Sequence, residues 1–279
     1  MREQLDQTEI DDFHRDGFVL LRGFYDVDAE IRPIQAAIAE IIALVRASHG
    51  LPVAAPDSVA HFDHQFADLI AHDRRLGGVV YDAVKQIPAF VRLVCSTGHE
   101  AVFRQLRKTD LAGIAGGGYG IRIDNPGEER FRADWHQEYP AQLRSLDGAV
   151  FWSPLVSIEA DMGPVRVCVG SQAEGLVPVL TRDPDHPDKA GAYGLILSDR
   201  AARVARYPEL APLTHPGDLL IMDFLTLHAS GHNTSRRSRW SMQSRLFNFR
   251  EPTGVSHAWR GSYAAGTDFT TIHPELVAD

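Results

Sequence analysis

The chain has 279 residues, 44% hydrophobic and 23% charged, with 23 Gly and 16 Pro, the make-up of a globular protein long enough for a large core. That balance excludes collagen-like, coiled-coil and low-complexity architectures, and a formal charge of −9 argues against nucleic acid as a partner. Two cysteines, Cys95 and Cys168, sit in apolar surroundings without staple or zinc-knuckle spacing, which points to a reducing, cytoplasmic setting.

Met1 to Phe13 is acidic and amphipathic and lacks the basic start and apolar block of a secretory signal. Thr8 is placed to cap a short helix carrying Ile10 and Phe13, which Gly17 would end, and Phe18 to Leu21 follows as a buried strand. Ile31, Ile34, Ile38, Ile41, Ile42 and Val45 recur at three and four residues, so they share one face of a helix that Asp28 would cap. Ile34 to Val45 is also the longest apolar stretch, and Gln35 and Glu40 interrupt it well short of a bilayer span, so no membrane is expected as a partner. Further helices are predicted over His61 to Arg75 and Val79 to Val94, their apolar faces braced on a sheet.

From Tyr119 the texture changes to β-branched and aromatic runs separated by Gly, Pro and Asp. Strands are predicted at Tyr119 to Ile123, Phe131 to Glu138, Gly148 to Ile158, Pro164 to Val169, Leu219 to Asp223, Thr226 to Ser230 and Arg239 to Arg250, with a tight turn at Pro216-Gly217-Asp218. The Pro-, Asp- and Gly-rich stretch Thr181 to Asp199 reads as a lid-like loop. No repeat or linker divides the chain, so one domain, 1–279, is expected: a mostly helical buttress over 1–110, a β core over 111–252 and a tail over 253–279.

Phosphate-loop, dinucleotide, nucleophile-elbow and HExxH motifs are all missing. The Gly-rich run Gly113 to Gly120 fails the dinucleotide spacing and suits a bend or a close backbone approach. The informative segment is Asp134-Trp135-His136-Gln137-Glu138-Tyr139: on a strand, His136 and Glu138 project from one face, an imidazole and a carboxylate suited to a shared metal. The ordinary alternative is a surface strand carrying polar residues outward. His61-Phe62-Asp63 repeats the spacing, but in a stretch of helical periodicity where residues two apart diverge; His61, His64 and His72 read as surface or packing histidines.

Downstream, Leu227-His228-Ala229-Ser230-Gly231-His232-Asn233 offers a second imidazole, and Arg239 opens a strand with a planar cation able to grip a carboxylate. Two His and one carboxylate hold Fe(II) on one face and leave positions open. His232 is a rival ligand, but it falls past Gly231 in an expected turn, whereas His228 and Ser230 share a face. Alternation from Arg239 turns Gln243 and Arg245 inward; an inward Arg245 suits an acidic substrate. Arg122 and Tyr139 are further candidate substrate contacts, while Asn125, Arg132, Gln142, Arg144 and Arg166 have the reach but read more simply as solvated side chains.

This ordered set resembles the phytanoyl-CoA dioxygenase family of Fe(II)- and 2-oxoglutarate-dependent oxygenases over most of the chain, and Asp16-Gly17-Phe18-Val19-Leu20-Leu21-Arg22-Gly23 is similar to that family's first strand. The resemblance implies a mainly β fold, a double-stranded β-helix (jelly roll, cupin-like), with the metal in its mouth. It implies iron ligands His136, Glu138 and His228, Arg239 and Ser230 on the distal carboxylate of 2-oxoglutarate, and Trp152 as an aromatic flanking the cosubstrate. The implied cofactors are Fe(II), 2-oxoglutarate and O₂, and the implied reaction oxidises a C–H bond of a soluble small molecule with release of succinate and CO₂. The family usually has Asp where Glu138 stands; the acid still offers one oxygen, and its presence argues against a halogenase. Gln172 replaces a common His after Val169-Gly170-Ser171, which touches loop packing or substrate contacts rather than iron. A cupin-type enzyme without an oxo acid and a non-catalytic binder are the alternatives; Arg239→Ala separates the first, and a test for succinate the second.

Overall fold

The structure, a computed structural model, describes residues 1–53, 62–183, 195–262, 264 and 267–278. Helix α1 (Gln7–Asp16) is capped by Asp6, not Thr8: the Asp6 carboxylate accepts from Glu9 N and Glu9 accepts from Asp6 N, both at 2.9 Å. Gly17 ends it at φ 81°, and a Cβ there would collide with Gln172 and Thr226, so this turn has to be glycine. β1 (Phe18–Leu21) follows as expected. A π-helical turn, Val27–Ile31, precedes α2 (Arg32–Ser48), and its cap is Asp26; Asp28 lies inside the turn and pairs with Arg32. Ile31, Ile34, Ile38 and Ile42 are fully buried, as their spacing requires.

The next expected helices are each divided by a new start signal. α3 (Phe62–His72) stops at Asp73, which caps α4 (Arg74–Val84), and Pro88 opens α5 (Pro88–Val94). Ser96 caps α6 (Thr97–Arg107). α2, α3 and α4 pack on one another, α4 reaches the strand Gly120–Asp124 and α6 reaches the strands Ala112–Ile114 and Arg239–Asn248, so helical and β residues share one apolar core.

The strands are β2 (Ala112–Ile114), β3 (Gly120–Asp124), β4 (Gly148–Pro154), β5 (Val165–Cys168), β6 (Val179–Leu180), β7 (Ile196–Leu197), β8 (Glu209–Leu210), β9 (Leu219–Asp223), β10 (His228–Ser230), β11 (Arg239–Asn248) and β12 (Val277–Ala278). The large sheet runs β1-β9-β4-β11-β2, with β3 also on β11; a second sheet runs β10-β5-β8 and a third β12-β6-β7. Among the described residues only β12–β6 is parallel. Gly217, at φ 104°, makes the turn into β9, and the Asp218 carboxylate ties that turn to Gly23 N at 3.0 Å.

One predicted strand fails: residues 131–138 form no ladder. A 3₁₀ turn occupies Glu129–Phe131, Asp134 turns its own carboxylate onto Trp135 N, and the segment ends in the short helix α7 (Tyr139–Gln142). Local side-chain bonds of this kind compete with sheet pairing. β4 also stops at Pro154, short of Ile158. Most of the expected lid, 184–194, and His61 lie outside the described residues. α8 (Arg200–Val204) lies between β7 and β8; after β11 come α9 (Pro252–Ser256) and α10 (Phe269–Ile272) in the tail, whose Phe269 is buried and whose β12 extends β6. Cys168 is buried but Cys95 is exposed, contrary to expectation, and neither is bonded. Among the described residues no helix is long and apolar enough to cross a membrane.

Candidate metal centre

His136 and His228 meet in a single antiparallel bridge between the 131–138 segment and β10, each N–H donating to the other's carbonyl at 3.1 Å. That bridge keeps the period of two just long enough to turn His136 and Glu138 to one side. Gln137 points away, its amide donating to Gly175 O and Leu225 O. Glu138 then takes helical backbone angles at the start of α7, with its N–H on Phe224 O at 2.8 Å. The convergence foreseen from a strand is reached by one bridge and a helix start.

The ligand-type atoms of His136, Glu138 and His228 all lie within 4.8 Å of one another, and all three residues are buried. Each imidazole has Nδ1 on a carbonyl: His136 on Asp134 O at 2.7 Å, His228 on Thr226 O at 2.9 Å. A carbonyl only accepts, so Nδ1 carries the proton and the lone pair sits on Nε2. Both Nε2 atoms face Glu138 Oε2, at 3.7 and 3.5 Å. Oε2 is buried and takes part in no hydrogen bond. A desolvated carboxylate oxygen between two imidazole lone pairs fits a divalent ion and little else, since without one these atoms repel.

Glu138 Oε1 is occupied. Arg245 Nε donates to it at 2.9 Å and the Gln142 amide at 3.1 Å, while Arg245 Nη1 donates to Gly118 O at 3.1 Å. Burial alone would raise the Glu138 carboxyl; the Arg245 guanidinium holds it well below the usual range. Burial, with the neighbouring His228, pushes His136 down against the pull of Glu138, keeping the imidazole neutral. Arg245 is thus not the substrate cation expected: its guanidinium is committed to a site carboxylate. Gly118 shows what the Gly-rich run does, because a Cβ there would come within 2.7 Å of the Gln142 side chain.

Six residues earlier on β11, Arg239 is 1% exposed. Its Nη2 donates to Asp124 at 2.7 Å and to Ser230 Oγ at 2.9 Å, and Nη1 donates to Gly163 O. Its Nε is buried with no hydrogen-bond partner. Asp124 also receives Arg122, at 2.8 to 3.0 Å. Burial would raise the Asp124 carboxyl, but Arg122 and Arg239 together hold it at about 2.

Between the triad and this cluster lies a cavity lined by His136, Glu138, His228 and Ser230, and by Trp152, Gln243 and Arg122, with Val150, Met222 and Val165 as apolar walls. Other expectations are sorted by contacts. Tyr139 is fully buried, bonded to His273 at 3.0 Å, and does not line this cavity. His232 is exposed and bonded to Glu129, His64 and His72 are exposed, and Gln172 holds the carbonyls of His14 and Arg15, which is loop packing. Asn125, Arg132, Arg144 and Arg166 bond within the protein, Gln142 supports Glu138, and Asp124 was not anticipated, although Arg-x-Asp on a strand is its signal.

Among solved structures the fold is similar to SnoK, a non-haem α-ketoglutarate-dependent carbocyclase from nogalamycin biosynthesis, with 14% identity, TM-score 0.56 and coverage of 88% of this chain and 85% of that one. The epimerase SnoN, in complex with Fe³⁺, α-ketoglutarate and nogalamycin RO, gives 16%, 0.55, 94% and 91%. EctD from S. alaskensis, with 2-oxoglutarate and 5-hydroxyectoine, gives 17%, 0.54, 88% and 76%. No curated protein sequence matches. The sequence matches the profile of the phytanoyl-CoA dioxygenase (PhyH) family over residues 13–241. With most of the chain inside that match and a His-Glu-His triad at its centre, the protein belongs to the phytanoyl-CoA dioxygenase family and is a non-haem Fe(II)- and 2-oxoglutarate-dependent oxygenase.

Proposed function

We propose that this enzyme hydroxylates an unactivated C–H bond of a soluble small molecule in the cytoplasm, releasing succinate and CO₂. In this reading His136, Glu138 and His228 hold Fe(II), Arg239 and Ser230 hold the distal carboxylate of 2-oxoglutarate, and Trp152 walls the cosubstrate. Gln243 and Arg122, on the cavity wall, face the substrate side. The large sheet and the β10-β5-β8 sheet are read as a double-stranded β-helix within one domain, 1–279, with 1–110 as helical buttress, 111–252 as jelly-roll core and 253–279 as tail.

The observation that carries the reading is Glu138 Oε2, desolvated and unbonded between two imidazole nitrogens. Bound iron and 2-oxoglutarate supply the oxidising power, through oxidative decarboxylation of the oxo acid by O₂. The chain supplies geometry. Nδ1 bonds fix both imidazoles, Arg245 and Gln142 fix the carboxylate, and Arg239 presents a planar cation at the far end. Buried walls exclude water from the reacting carbon. The test is a succinate-release screen against fractionated metabolite pools, with products followed by mass. A pool that stimulates succinate and gains one oxygen atom supports hydroxylation; loss of two hydrogens would make the reaction a desaturation or ring closure, and no succinate from any pool would sink the reading.

A further inference from the structure

A second cavity, of about 330 Å³, lies between α4 and the free edge of β3, within the size range of about 300 to 1,000 Å³ typical of small-molecule sites. Phe66, Tyr81, Phe131 and Ile123 line it. Among the described residues β3 pairs only with β11, leaving its other edge without a strand, and alternation turns Ile123 to the helices while Arg122 and Asp124 face the interior. Arg122 lines both this cavity and the one holding the triad, so its side chain is the wall the two share. The floor is the tandem Gly77-Gly78 of α4. Gly77 has a packing reason, since its Cβ would meet Ile70 at 2.8 Å. Gly78 has none: a Cβ there meets nothing within 4 Å. Glycine inside a helix is unfavourable relative to alanine, so a second one with open space above it leaves bare backbone where a ligand can lie flat.

Charge defines the occupant. Arg74 is bonded to Glu128, at 2.8 Å through Nη2. Arg122 and Arg239 share Asp124, and on the proposed reading the oxo-acid carboxylate would balance the remaining positive charge. Among the described residues the two arginines that line this cavity, Arg74 and Arg122, are each paired with an acid, and the walls are aromatic.

We propose that this groove seats the organic substrate and that the substrate is an uncharged, largely apolar, ring-bearing molecule whose oxidised carbon passes Arg122 to reach the triad. The proposal rests on the oxygenase reading. The test is anaerobic fluorescence titration of the full chain, loaded with Fe(II) and 2-oxoglutarate, with uncharged N-phenyl-1-naphthylamine and anionic 8-anilinonaphthalene-1-sulfonate. The uncharged probe should bind at least about tenfold tighter, and Gly78→Leu, which fills the floor, should weaken it by at least about tenfold. The charge-transfer band of the loaded site serves as fold control, and Tyr81→Ala, expected to weaken the probe likewise, replaces Gly78→Leu if that variant loses the band. Unchanged binding in the variant used, or anionic binding as tight as uncharged, would overturn the proposal. An absent band in the wild type would instead bring down the oxygenase reading, and the groove's catalytic role with it.

Discussion

Two buried arginine–carboxylate pairs hang from the same face of β11, and they work in opposite senses. In Arg245–Glu138 the acid retains an unused atom, Oε2, and the arginine is spent on bonds to Glu138 and Gly118. In Arg239–Asp124 the acid is saturated by two guanidinium groups, and Arg239 keeps an unpartnered Nε. Burial and pairing are therefore no guide to which partner faces a ligand. The atom left over is.

The comparison breaks most severely if Arg245 is removed. Arg245→Met strands Glu138 as a buried charge and should cost about 3 to 5 kcal/mol of stability in urea denaturation; adding Glu138→Gln should recover most of it. Equal stability of the single and double variants would mean that Arg245 does not support the acid. Next, Arg239→Ala should weaken 2-oxoglutarate by about 100-fold, near 3 kcal/mol, in a charge-transfer titration, and Arg239→Lys should restore only part of this.

Asp124 gives a pH signature. Its carboxyl is held at about 2, so the stability it contributes is complete above its ordinary value near 4 and lost as pH falls through 2. Wild type should lose about 2 kcal/mol over that interval that Asp124→Asn does not, read from the two unfolding curves against pH. Smallest is Ser230→Ala, which removes one hydrogen bond beside Arg239 and should weaken 2-oxoglutarate about fivefold, near 1 kcal/mol.

Alternation along β11 was readable because a strand's period of two is local, and it turned Arg239, Gln243 and Arg245 inward. What Arg245 touches was not readable: face is set by local geometry, partner by the register between distant segments. The strand over 131–138 was misread because Asp134 and Pro140 act locally, while the one bridge that matters comes from β10. The cap of α1 was legible in Asp6-x-x-Glu9, a stronger signal than a lone threonine.

Anaerobic addition of Fe(II) and then 2-oxoglutarate, followed by visible absorption, addresses the central claim most directly. A saturable metal-to-ligand charge-transfer band with one iron per chain, abolished in His228→Ala, is the predicted result. A wild-type protein that takes up iron but develops no band with the oxo acid, or a His228→Ala protein that keeps it, would contradict the account.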